Sequence, residues 1–118
     1  MLKETYYNPR YGGGWGIEPA KDDIVFFVMR NKGHILSPSQ ALYDAYKPKD
    51  KKKNKPISWN DYVTRFKQEM DNKACQDKMK EIKELSLTKD VWLVCSCFNK
   101  VNHCHRFLLM DMIEQMEP

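Results

Sequence analysis

The stretch VWLVCSCFNKVNHCHRFLL, residues 91–109, decides the fold class. Val91 to Cys95 is a continuous apolar run, which suits a strand covered on both faces in a parallel sheet. A short polar loop follows. From about Cys104 the apolar residues take a helical spacing, with Leu108, Leu109, Met112, Ile113 and Met116 on one face. With helical sequence ahead of the strand as well as behind it, the order indicates an α/β domain. Its sheet is small and mainly parallel, of about three to four strands, and flanked by helices.

Residues 57–85 supply the preceding helices. Ser58 is placed to cap the first, Asp61 sits where the helix dipole favours an anion, and Ile57 is placed to staple onto Tyr62. Trp59, Tyr62, Val63, Phe66 and Met70 form its apolar stripe, and Asp71-Asn72-Lys73 interrupts it. Cys75, Met79, Ile82 and Leu85 mark the next helix, with Cys75 expected as a small core residue. Ser37-Pro38-Ser39-Gln40 predicts a shorter helix capped by Ser37, with Gln40 closing a capping box and an end at Lys47-Pro48. Asp23 to Arg30, DIVFFVMR, predicts a second strand covered on both faces. Leu2 to Tyr7 alternates weakly and is a candidate first strand.

Two segments read as loops. Residues 8–19 form a glycine-rich loop with glycines at 12, 13, 14 and 16, whose spacing matches no phosphate-binding motif. It is expected as a turn with Tyr11 and Trp15 packed on the core, a lid being the alternative. Residues 47–56, KPKDKKKNKP, hold six lysines and no apolar side chain, so an exposed loop is expected. Nucleic-acid binding through Lys47 to Lys55 is its functional alternative, although no aromatic residue interleaves the lysines to stack on bases.

A chain of 118 residues supports one domain, 1–118, since two separate cores would each be marginal. No apolar run approaches the ~20 residues that span a bilayer. The opening MLKETYYNPR lacks the apolar centre of a secretory signal, so a cytoplasmic protein with no membrane partner is expected. The net charge of +4 is too small and too local to argue for nucleic acid by itself. In that setting four cysteines read as thiols or metal ligands before they read as disulfides.

Three of those cysteines, two histidines and an arginine fall between Cys95 and Arg106. Cys95 and Cys97 leave the strand at its C-terminal end, where open α/β sheets bind ligands, and Arg30 ends the other strand on the same side. Cys104, His105 and Arg106 occupy a helix start, whose open N–H groups and dipole favour anions. A cysteine beside His and Arg there is suited to act as a thiolate nucleophile. The candidate roles follow: Cys104 as reactive thiol, His105 as proton carrier, Arg30 and Arg106 as anion clamps, and Cys95 and Cys97 as ligand contacts. The ligand would be small and anionic, bearing phosphate or carboxylate, with no cofactor. Whether the protein is an enzyme stays open.

Zinc is the alternative, through Cys95, Cys97, His103, Cys104 and His105. Its obstacle is spacing, because structural zinc ligands usually come in pairs two to four residues apart and contiguous ligands tend to diverge. A bridge from Cys95 or Cys97 to Cys104 also stays open. So does a plain structural role, with cysteines filling the sheet–helix contact and Arg106 pairing locally.

LSPSQALYDAYK (36–47), ISWNDYVTRFKQEM (57–70) and KDVWLVCSCFNKVNHCHRFLL (89–109) resemble the YeaO-like proteins, domain-of-unknown-function family 488. The similarity runs from about Ile24 to Ile113, and the Cys-His-Arg turn after an L-x-C strand is its most specific part. The resemblance implies a small α/β domain without an established activity, and by position it singles out Arg30, Cys95, Cys104, His105 and Arg106. This chain departs from the pattern at Met29, where members often carry Asp, and at Cys97, where they tend to carry Glu. Its loop to Cys104 is also one residue longer.

Overall fold

The computed structural model describes residues 1–10, 14–96 and 104–117. Strands β1 (Leu2–Tyr6), β2 (Ile24–Phe27) and β3 (Val91–Cys95) form a parallel sheet in the order β1-β3-β2. Four helices flank it: α1 (Gln40–Tyr46), α2 (Trp59–Met70), α3 (Lys73–Ser86) and α4 (His105–Glu114). This is the expected α/β class with a small parallel sheet. Leu2 and Ile24 both align with Val91, so β3 bonds on both edges and every one of its residues is buried.

Alternation along β3 divides the interior. Val91 and Leu93 join a cluster containing Leu42, Phe66, Met79 and Ile113, to which all four helices contribute. Trp92 and Val94, on the opposite face, belong to a second cluster with Met29 and Cys104, which Cys95 joins at the strand's end and against which Tyr7, Trp15 and Phe107 pack. The helical stripes predicted for α2 and α3 are buried through Tyr62, Phe66, Met70, Cys75, Met79 and Ile82. Ser58 and Asn72 cap these two helices, so the break at residues 71–72 is a change of helix and not a kink.

β2 differs from its expectation. It is an edge strand of four residues, partly exposed along its length, with Phe27 at 37% exposure. The apolar run continues through Val28 and Met29, which are buried by packing, but the chain then turns into a 3-10 turn at Arg30–Lys32. β2 is therefore less fully covered than its unbroken apolar run predicts, and complete burial begins only at Val28 and Met29 beyond its end. The cap of α1 is also displaced. Ser39 accepts from the Leu42 N–H at 3.1 Å, whereas Ser37 donates to the carbonyls of Val28 and Met29. Ser37 thereby ties the helix start to the end of β2, and Gln40 is one residue into the helix, too early to close a capping box.

The glycine-rich segment folds back beside β1. Gly16 donates to the Tyr6 carbonyl at 2.9 Å and Ile17 to Thr5 Oγ1 at 2.7 Å, which covers part of that strand edge. Trp15 packs on Tyr7 with ring centroids 4.7 Å apart, as expected of it, while Tyr11 lies outside the described residues. Gly16 has no room for a side chain: a Cβ would sit 2.5 Å from Tyr6 Cε1. Of the loop expected to be exposed at 47–56, Lys47 and residues 49–56 are exposed, whereas Pro48 is buried. Among the described residues no helix is long and apolar enough to cross a membrane.

Candidate functional site

The end of β3 and the start of α4 meet. Cys95 is the last residue of the strand, and Cys104 is the N-cap of the helix. Cys104 has an extended backbone (φ −137°, ψ 141°) while His105 is already helical. That change of conformation between neighbours turns two contiguous side chains to the same side. His105 Nδ1 lies 3.8 Å from Cys104 Sγ and 4.0 Å from Cys95 Sγ. All three ligand-capable atoms fall within 4.8 Å of one another. The residues are 3–5% exposed.

The imidazole is fixed from its far side. His105 Nε2 lies 2.6 Å from the Val28 carbonyl, which can only accept, so Nε2 carries the proton. In the neutral ring Nδ1 then presents its lone pair toward the two sulfurs. Phe66 packs 5.9 Å from the ring centroid and closes another side.

A pocket of about 150 Å³ opens against this cluster. Cys95, Ser96, Cys104 and His105 form one wall, and Tyr43, Tyr46 and Tyr62 form much of the other. Arg30 and Lys47 bring positive charge to it. Arg30 stacks over Tyr43 at 4.0 Å and donates from Nη1 to Gln40 Oε1 at 2.6 Å. Its Nε is buried and makes no hydrogen bond among the described residues. A buried donor without an acceptor costs free energy of order 1–3 kcal/mol, which a ligand oxygen would relieve.

Arg106 is elsewhere. It is fully buried, does not line the pocket, and donates from Nε to Glu4 Oε2 at 2.6 Å, joining α4 to β1. Its Nη1 points toward Cys104 Sγ at 3.7 Å. Of the two arginines expected to clamp a ligand, Arg30 therefore borders the pocket, whereas Arg106 does not and approaches the site at Cys104. Cys97 and His103 lie outside the described residues.

Other candidates separate from the site. Cys75 is a core residue whose Sγ faces the Ile35 carbonyl at 3.4 Å. His34 accepts from the Leu36 N–H through Nδ1 and meets Phe26 edge-on; burial, with Lys78 adding to it, holds its pKa below the ordinary 6.5. Sequence reasoning missed the tyrosine wall. Tyr62 reads as one member of a core stripe, and Tyr43 carries no signal until Arg30 is seen stacked on it. It also missed Lys47, which belongs to a lysine run but differs from its neighbours by bordering the pocket.

Two thiols and an imidazole could hold a borderline-soft metal ion such as zinc, and the same groups could serve thiol chemistry. Residues 29–117 match the family model described as the active DUF488-N3 subclade. No curated protein and no solved structure matches the chain.

Proposed function

The chain belongs to the DUF488 family, and from that premise we propose that the pocket between β3, α1 and α4 is a reaction centre for a small anionic ligand, with Cys104 as its reactive thiol. The observation that carries this reading is the fixed orientation of His105. With Nε2 donating to the Val28 carbonyl, the basic Nδ1 is left beside Cys104 Sγ at 3.8 Å. A thiol there can lose its proton to Nδ1, and Arg106 Nη1 at 3.7 Å favours the resulting thiolate.

Arg30 supports the anionic class. A phosphate or carboxylate oxygen at its buried Nε would supply the acceptor that this group lacks among the described residues. The volume, about 150 Å³, restricts the buried part of the ligand to roughly one small ring or one compact acid, below the usual range for drug-sized ligands. In the proposed step the Cys104 thiolate attacks an electrophilic centre of the ligand, and a new bond to sulfur forms. The leaving group departs with its electron pair and takes the proton from His105 Nδ1.

Competitive alkylation tests this. Iodoacetate carries the negative charge that Arg30 should recruit, and iodoacetamide is its neutral counterpart. Cys104 should favour iodoacetate relative to a small free thiol, and inorganic phosphate should protect it. Arg30→Gln should slow iodoacetate labelling about tenfold and leave iodoacetamide labelling nearly unchanged, the size expected for losing one charge-assisted contact. A Cys104 that reacts with neither reagent in the folded protein overturns the reading.

A further inference from the structure

We propose that Cys95 Sγ, Cys104 Sγ and His105 Nδ1 form a zinc-binding site, and that zinc occupancy blocks the thiol chemistry of the pocket. A nucleophile needs one sulfur beside its base. Here two sulfurs converge on one nitrogen, at 3.8 and 4.0 Å, and the whole set lies within 4.8 Å. Zinc bonds of about 2.3 Å to sulfur and 2.0–2.1 Å to nitrogen place tetrahedral ligand atoms roughly 3.5–3.8 Å apart. The cluster is therefore within about an ångström of a coordination shell before any metal enters.

The surroundings fit ligation as well. A metal-bound histidine almost always donates its other nitrogen to a carbonyl or carboxylate, which is what His105 Nε2 does to Val28 at 2.6 Å. Arg106 Nη1 near Cys104 Sγ would offset the charge of a ligating thiolate. Two thiolates and one imidazole favour zinc over magnesium or calcium, which take oxygen ligands. The objection that contiguous ligands diverge is met by the backbone: Cys104 is extended and His105 helical, so their donor atoms approach one another. Among the described residues the donors number three, and all three border the pocket.

The metal site stands on these distances alone. Only its consequence, that zinc silences Cys104, rests on the proposed function. The two are separated by one set of measurements on the full chain. Protein stripped with chelator is titrated with zinc sulfate, and in parallel with cobalt(II), whose thiolate complexes absorb in the near ultraviolet. One zinc per chain and a cobalt–thiolate band are expected. Cys95→Ser, Cys104→Ser and His105→Gln should each weaken zinc binding about a hundredfold or more, since losing even a group that only orients a ligand costs about 10- to 100-fold, whereas Cys75→Ser should not change it. Zinc should also slow iodoacetamide labelling of Cys104 at least tenfold, reversed by chelator. Absence of a cobalt–thiolate band in the wild-type protein overturns the site without depending on any variant's folding. Undiminished binding by Cys104→Ser overturns it too. If zinc fails to bind while Arg30-dependent labelling persists, the metal proposal falls and the pocket stands. If zinc binds while the stripped protein resists labelling, the site stands, but its blocking role and the proposed thiol function fall.

Discussion

The two ends of the parallel sheet spend their charged groups differently. At the N-terminal end the Met1 ammonium donates to the carbonyls of Ser86 and Lys89, and both it and Lys3 approach Asp90. These groups remain in contact with water, and the Lys3 hydrogen bond holds the Asp90 carboxyl below its ordinary range. Toward the other end Arg106 is fully buried against Glu4 at the middle of β1, and at the C-terminal end Cys95, Cys104 and His105 are buried beside a pocket. Exposed pairs of the first kind contribute little to stability and are screened by salt. Burying charge and imidazole costs desolvation that a packed apolar core would avoid. Buried polar groups beside a pocket make this end the place where function is to be sought.

The largest test of that contrast is Glu4→Ala. It leaves the Arg106 guanidinium buried without its carboxylate and should lower the unfolding free energy by about 3 kcal/mol, read from urea denaturation. A loss no greater than that of Asp90→Ala would erase the distinction between the two ends. Next comes Gly16→Ala beside β1. Its Cβ would press on Tyr6 Cε1 at 2.5 Å, and overpacking of this kind should cost about 1–3 kcal/mol by the same measurement.

A smaller effect separates His34 from the site histidine. Because its folded pKa lies below 6.5, the unfolded chain binds the proton more readily, and stability rises with pH through that range. The contribution is complete above about pH 6.5 and is lost as the pH falls below it. His34→Gln should flatten that part of the stability profile while leaving Cys104 labelling untouched. The smallest effect is assigned to Asp90→Ala, whose shift in urea midpoint should be slight at low ionic strength and disappear in 1 M salt.

The sheet's central member and the two long helices were legible because each carries a local signature: an apolar run for β3, an apolar stripe for α2 and α3, and for α2 also a serine before an acidic first turn. The edge position of β2 was not, since Ile24 to Val28 looks the same whether burial comes from a neighbouring strand or from side chains beyond its end. Likewise either Ser37 or Ser39 can cap a helix, and only the carbonyls of Val28 and Met29 show which one is otherwise engaged. At the site, Cys104 and His105 were recognisable by type, but their convergence depends on one pair of backbone angles. Arg106 looked like a ligand clamp because Glu4 is 102 residues away and nothing near it in the chain announces the pairing.

Because both outer strands hydrogen-bond to β3 and to no other strand among the described residues, the sheet has no stable precursor. Residues 2–6 and 24–27 are translated long before Val91–Cys95, so neither outer strand has its strand partner until that segment leaves the ribosome. The same late arrival brings in Cys95. Closure of the sheet and delivery of the first sulfur to the pocket are thus one event in the life of the nascent chain.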